Sequence, residues 1–285
     1  MKRTKLFGLM MALVVGMGFT ACTEDDDAAM INIVIEGEVA KTVAVGADVN
    51  ITYNVVSDEK LDLIEHLVNN KIVASVEDFT SSNSFSGSFD IPTTTAQTVL
   101  ATIRVTDRKG KVETRDFTIE VESSVETYTA VLLGSQASSS EGSFYATSTN
   151  EVFTVATAAE NADLVDFIYF YGLNNKAAIA APADGDVQSV FDGIADWSVK
   201  NETIFGLQSE MTATEFEAIT ESDEAILAAT ANTDLFLNRV ALLSEGDIVA
   251  FVTEAGKKGI FMVSSIEGNT YGEESKITLE VKVQK

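Results

Sequence analysis

The chain has 285 residues, 46% of them hydrophobic, with 44 acidic side chains against 19 basic ones and a formal net charge of −25. Without the basic Lys2, Arg3 and Lys5 at its start, 16 basic residues face the same 44 acids, a net −28; such a chain repels the phosphates of nucleic acids, and no nucleic-acid partner is expected. The single cysteine excludes an internal disulfide, so packing alone must hold a chain whose length suits two medium domains.

Lys2, Arg3 and Lys5 precede an apolar run over residues 6–19, and the small Thr20 and Ala21 lead to Cys22. A charged start, a short apolar stretch and small residues before a cleavage point make a secretory signal, too short to span a bilayer. With Cys22 at its end, the segment resembles a bacterial lipoprotein signal, although Phe19 stands where leucine is commonest. The resemblance implies cleavage after residue 21, a diacylglyceryl group on the Cys22 thiol and a tether over 22–29. Two or more acyl chains give stable attachment, at about 0.8 kcal/mol per buried CH₂. An ordinary secreted protein with a cysteine near its cleavage site is the competing reading. The run Thr23, Glu24, Asp25, Asp26, Asp27 resembles the surface-export signal of Bacteroidetes lipoproteins, which implies the outer leaflet of the outer membrane. A plain solvated tether would satisfy the same residues.

From residue 30 to 124 apolar side chains recur at every second position. Ile31, Ile33 and Ile35 begin the pattern, followed by Val49, Ile51, Tyr53 and Val55, then Phe85, Phe89 and Ile91, then Val99, Ala101, Ile103 and Val105, then Phe117, Ile119 and Val121. Strands with one buried face produce this spacing, and about seven of them separated by turns such as 107–111 predict a β-sandwich. The segment resembles the immunoglobulin-like modules of Bacteroidetes surface lipoproteins, without the cysteine pair and buried Trp of antibody domains.

Residues 122–126 form a junction too short for a floppy linker, so a second domain over 125–285 is expected to touch the first. The pattern predicts a strand over 128–134, a mobile polar loop over 135–142, an extended stretch over 144–154, a short helix over 156–162 and a central strand over 164–171. Val187, Val190, Phe191 and Ile194 fall at i, i+3, i+4 and i+7 and predict an amphipathic helix over 185–197. Thr212 and Glu215 fit a capping box, and a further helix is expected over 223–231. Strands over 235–243, 248–253, 260–266 and 277–283 then form an antiparallel meander. The whole reads as mostly β: an immunoglobulin-like sandwich, then an α+β domain with two or three helices. The stretch from Val165 to Gly172, with Gly246 to Val249 and Gly259 to Val263, resembles a family of uncharacterised Bacteroidetes lipoproteins. That resemblance implies an organism group and an architecture, and no activity.

Chemistry-bearing residues are sparse. His66, the only histidine, has no G-x-S-x-G elbow or cysteine nucleophile to serve, and reads as an ordinary strand residue. Scarce histidine and thiolate argue against zinc, and no cofactor is expected. Ser57 and Lys60 match S-x-x-K without its supporting motifs. Asp184, Asp186 and Asp192 crowd around Gly185 without the spacing of an EF-hand, which leaves open a bound calcium or a solvated turn at a helix start. The candidate ligand-binding residues are aromatic: Trp197, Tyr169, Tyr171 and Tyr145, with Tyr271 in the same domain. Sugar rings stack on such faces; the competing reading is that large aromatics beside apolar runs form core.

Three functions remain. The first is a non-catalytic protein held to a membrane by its lipid, binding a glycan or an outer-membrane protein partner through the second domain. Its order resembles starch-utilisation lipoproteins, which usually carry several exposed tryptophans where this chain has one. The second is a structural or adhesive surface protein, and the third a carboxylate-dependent hydrolase.

Overall fold

The computed structural model describes residues 30–37, 40–80, 82–234 and 236–285. The signal segment, Cys22 and the acidic run Thr23 to Asp27 lie outside the described residues.

The period-two pattern of the first domain becomes eight strands: β1 (Ile31–Glu36), β2 (Ala40–Ala44), β3 (Val49–Ser57), β4 (Leu61–Val68), β5 (Lys71–Val76), β6 (Ser84–Ile91), β7 (Gln97–Asp107) and β8 (Val112–Glu122). They form two sheets, ordered β1-β3-β6 and β2-β8-β7-β4-β5. Every pairing is antiparallel except β2 with β8. Val49, Ile51, Tyr53 and Val55 of one sheet meet Val99, Ala101, Ile103, Val105, Phe117 and Ile119 of the other in a single core. Each such side chain contributes on the order of 2 kcal/mol by leaving water. His66 points into this core, sharing a 2.7 Å hydrogen bond with the Tyr53 hydroxyl and stacking on Phe89 at 4.4 Å. Burial lowers the His66 pKa from its usual 6.5 and pushes Tyr53 up to about 12.

Only Ser123 and Ser124 separate β8 from β9 (Val125–Gly134). The second domain continues through β10 (Phe144–Ala146), β11 (Glu151–Phe153), α1 (Val155–Ala158), β12 (Phe167–Gly172), β13 (Lys176–Ala180), α2 (Gly185–Val190) and β14 (Ile204–Leu207). It ends with α3 (Ala213–Glu217), α4 (Glu224–Ala229), β15 (Arg239–Val240), β16 (Ile248–Val252), β17 (Lys258–Glu267) and β18 (Lys276–Gln284). Two antiparallel five-stranded sheets result, ordered β11-β10-β12-β13-β15 and β14-β16-β17-β18-β9. Leu133, Tyr145, Phe167, Tyr169, Phe251 and Phe261 fill the space between them. The outer face of the first sheet, with Ile168, Phe170 and Ala178, is covered by Ala158, Val187, Phe191 and Ile194. Ile248 and Ile260 on the outer face of the second meet Phe216, Ile219 and Ile226 from the α3–α4 region. The domain is therefore four layers deep, and β12 reads as a continuous apolar run because both of its faces are covered.

Several sequence expectations change in extent. The helix expected over 185–197 stops at Val190, because Phe191 turns extended at φ −113° and ψ 114°; Gly193 at φ +92° then leads into a 3₁₀ turn, Ile194–Asp196. The buried stripe of Val187, Phe191 and Ile194 survives the break. The stretch expected over 144–154 folds back on itself as the β10–β11 hairpin, with Asn150 at φ +52°. Of the strand expected over 235–243 only Arg239 and Val240 form a named strand, β15; Leu237 makes an isolated antiparallel bridge to Phe205 of β14, Leu242 takes φ +60°, and Leu237 and Leu242 are exposed. Strand β14 has no counterpart in the sequence reading. Its Gly206 is required by a close approach, since a Cβ there would come within 2.1 Å of the Phe236 ring.

The capping box forms, with Thr212 N donating to Glu215 Oε2 at 2.8 Å and Glu215 N donating to Thr212 Oγ1 at 3.3 Å. At the other end of α3 the buried Lys282 Nζ donates to the carbonyls of Phe216 and Ile219 at 2.9 and 2.8 Å. Loop 135–142, expected to be mobile, is tied at both ends of its turn: Gln136 bonds Tyr171 N and O, and Ser139 bonds Glu274.

Candidate functional site

The four aromatic candidates divide three to one. Tyr145 and Tyr169 are 0% exposed and Tyr171 5%, all between the two sheets of the second domain. Strand alternation places Tyr169 and Tyr171 on the same inward face as Phe167. Their hydroxyls are satisfied at the rim: Tyr145 donates to Asn150 Oδ1 at 2.9 Å, Tyr171 donates to Asn269 O at 2.7 Å, and Tyr169 shares a 2.7 Å bond with Ser275 Oγ. Burial pushes Tyr169 up to about 12 and Tyr145 also upward. These three tyrosines are core, and the expectation that they offer a stacking surface is corrected. Tyr271 is exposed, on the β17–β18 connection.

Trp197 sits differently. It follows the 3₁₀ turn, packs one side against Phe144 with ring centroids 5.6 Å apart, and keeps part of its surface open. Lys200 Nζ donates to the carbonyls of Ala195 and Trp197 at 3.0 and 2.8 Å, which fixes the turn that carries the indole. A cavity of about 520 Å³ borders it, lined among others by Val155, Asp192, Asp196 and Ser198. Asp192 and Asp196 are exposed, and no described side chain forms an ion pair with them. An aromatic face beside two free carboxylates and a hydroxyl can stack a ring and accept hydrogen bonds from its substituents.

The other sequence candidates have structural partners. Asp184 Oδ1 caps α2, accepting from Asp186 N at 2.9 Å, and Arg239 Nη1 lies 3.0 Å from Asp184 Oδ1 and 2.5 Å from Asp186 Oδ2. An arginine occupies the space between two of the three acids considered for calcium, and Asp192 lies instead in the Trp197 cavity. Among the described residues no three His, Cys, Asp or Glu side chains are grouped to hold a metal ion. Ser57 Oγ accepts from Glu59 N at 3.2 Å within a turn, a structural use of the S-x-x-K serine.

A cavity of about 950 Å³ lies between the two domains. Thr42 and Val43 of β2 and Glu122 form one side; Asp163, Leu164, Asp166, Asn201, Glu254 and Lys257 are on the other. Asp166 Oδ2 accepts from Thr147 N at 2.8 Å and from Thr147 Oγ1 at 2.6 Å. Burial raises the Asp166 pKa above its ordinary 3.8, opposed by the Thr147 bonds and the Lys257 charge. Sequence reasoning did not single out Asp166, yet it carried a signal: a lone carboxylate between Val165 and Phe167 in an apolar run.

A latch holds the domains around this cleft. Glu221 O accepts from Ser124 N at 2.8 Å and from the hydroxyls of Ser123 and Ser124 at 3.2 Å each. The Glu221 carboxylate reaches across to Ala96 N of the first domain at 2.9 Å.

No protein-family model and no curated protein matches the chain. Among solved structures it is similar to a DUF4466 family protein from Parabacteroides merdae, at 13% identity over 90% of this chain and 99% of that one, with a TM-score of 0.43. It is also similar to the fibronectin(III)-like modules of Clostridium thermocellum CbhA, at 12% identity over 78% of this chain and 85% of that one, TM-score 0.28. The CARDB domain of a Pyrococcus furiosus protein matches 33% of this chain over 93% of its own length, at 12% identity and a TM-score of 0.26. Likenesses this distant say nothing about a ligand or an activity.

Proposed function

We propose that this chain is a non-catalytic surface protein, anchored in the outer membrane by lipid on Cys22, whose first domain spaces a glycan-binding second domain from the membrane. The anchor is read from the residues around Cys22. Topology supports the spacer. Met30 N donates to Asp58 Oδ2 at 2.6 Å at one pole of the sandwich, whereas Glu122 lies at the other, where its carbonyl accepts from Val45 N. The eleven residues of β8 separate the poles, about 35 Å at the rise of an extended strand.

The observation that carries the binding reading is the Trp197 cavity, where a half-open indole stands beside Asp192, Asp196 and Ser198. Pockets of this size that pair an apolar face with a few polar groups suit one or two sugar rings. The test is a glycan screen on the mature protein, followed by calorimetry of Trp197→Ala and of Asp192→Asn, which leaves the packing on Phe144 intact. At least tenfold weaker binding in both, about 1.4 kcal/mol, is expected. Binding of no glycan, or binding that Trp197→Ala leaves unchanged, removes the sugar and leaves a protein partner.

One observation favours the structural or adhesive reading. β5 is an edge strand with Ile72 and Val73 each 50% exposed, a template for strand addition. Protein that stays monomeric at high concentration counts against it.

A further inference from the structure

We propose that the cleft between the two domains is a second binding site, independent of Trp197, and that it takes a short peptide carrying lysine or arginine. Five carboxylates line it, Glu122, Asp163, Asp166, Asp223 and Glu254, against the ammonium groups of Lys257 and Lys285. None of the five forms an ion pair with a described lysine or arginine. Three are partly engaged: Asp166 Oδ2 accepts from Thr147, Asp223 accepts from Ser124 Oγ and Gln284 Nε2, and Glu254 Oε2 accepts from Glu202 N. The remaining acceptors outnumber the donors, so a ligand rich in N–H groups and positive charge complements the walls.

Asp166 supplies an observation separate from the acid count. It is only 8% exposed, both Thr147 bonds fall on Oδ2, and no hydrogen bond reaches Oδ1. Oδ1 is not one of the fully enclosed orphan atoms, so it opens toward the cleft that Asp166 lines. A carboxylate oxygen held in a largely dry wall attracts a cation far more strongly than one in water. Val43, Leu164 and Val199 line the same cleft and offer apolar surface to the methylene stem of a lysine or arginine. The volume of about 950 Å³ accommodates a few residues of peptide, and the Glu221 latch forms the cavity in advance of binding. An anionic ligand would meet a repulsive field, and none of the described residues lining the cleft is aromatic for a sugar to stack on.

The experiment is isothermal calorimetry of the mature protein with tri-lysine and tri-arginine peptides at physiological salt, with tri-glutamate as the control ligand. One-to-one binding is expected for the cationic peptides only, weakened at least tenfold by Asp166→Asn and by Glu254→Gln. Glu254→Gln guards against a folding defect at Asp166. Asp62→Asn, an equal charge change on the exposed face of β4, should leave the affinity unchanged, as should Trp197→Ala. Absence of binding, or equal weakening by Asp62→Asn, overturns the proposal, the latter by assigning the affinity to the diffuse negative field. Retained peptide binding in Trp197→Ala keeps this outcome separate from that of the glycan reading.

Discussion

In the first domain β3 buries Tyr53 and Val55 while Thr52 and Val56 face solvent; in the second, β12 buries Phe167 and Tyr169 on one side and Ile168 and Phe170 on the other. A sheet with one wet face needs nothing beyond its partner sheet, so the first domain is strands joined by turns. A sheet covered twice needs helices and the connections that carry them. Those connections deliver Asp163, Asp192 and Trp197 to the surface, where the first domain presents only strand faces and loop ends. The candidate chemistry therefore gathers in the second domain and at its border with the first.

The largest effect expected from this contrast is at Phe167. Its ring meets those of Tyr145, Phe205, Phe251 and Phe261, with centroids 5.1 to 6.0 Å apart, at the centre of the second domain. Phe167→Ala should cost about 4 kcal/mol through lost burial and a residual cavity. Calorimetry should show two transitions in the parent protein, with only one lowered in the variant. A single transition that shifts as a whole would mean that the Glu221 latch couples the two cores into one cooperative unit.

The pH response separates the domains a second way, because the sequence has one histidine and it lies in the first core. Burial lowers the His66 pKa, so the folded domain resists a proton that the unfolded chain accepts below about 6.5. The stability conferred by neutral His66 is complete above that pH and is lost as pH falls toward the depressed folded value, at up to about 1.4 kcal/mol per unit. Urea midpoints of the first transition between pH 8 and 5 should show this slope. In His66→Phe, which keeps an aromatic ring against Phe89, the slope should flatten. An unchanged slope would assign the pH dependence to carboxylates.

Legibility in the sequence followed the same division. Where one face is wet, alternation reports burial directly, and Val49 to Val55 or Val99 to Val105 could be assigned inward from spacing alone. Where both faces are covered, the period vanishes. The apolar run containing Phe167 to Tyr171 announced a central strand, and the same run contained the fact that Tyr169 and Tyr171 are interior, since a strand without polar positions has no exposed side. Periodicity found the buried stripe of α2 but not its end, where Phe191 leaves helical geometry while its ring still packs inward. The leucines at 237, 242 and 243 suggest one continuous strand, but Leu237 makes only an isolated bridge to Phe205, Leu242 is exposed and Leu243 turns inward, and β14 is too short to show a period. The cleft was illegible for a different reason: its walls come from residues as distant as Thr42 and Lys257, brought together only by how the domains dock.

The smallest expected effect tests that docking. Ala96 N and the Glu221 carboxylate make the one described side-chain hydrogen bond that spans from the β6–β7 connection to the second domain, while the Glu221 carbonyl holds the junction serines regardless of its side chain. Glu221→Ala removes the first contact and keeps the second. A charge-assisted bond in a half-exposed setting contributes about 1 kcal/mol, too little to unfold either core. Both calorimetric transitions should stay within a degree or two of the parent, while small-angle scattering should show a broader distribution of interdomain distances. Because Glu122, Ser123 and Ser124 line the cleft, a looser junction should also weaken the cationic-peptide site and leave Trp197 untouched. An unchanged scattering profile would place the restraint in the two-serine junction itself, with Glu221 following the domain angle instead of setting it.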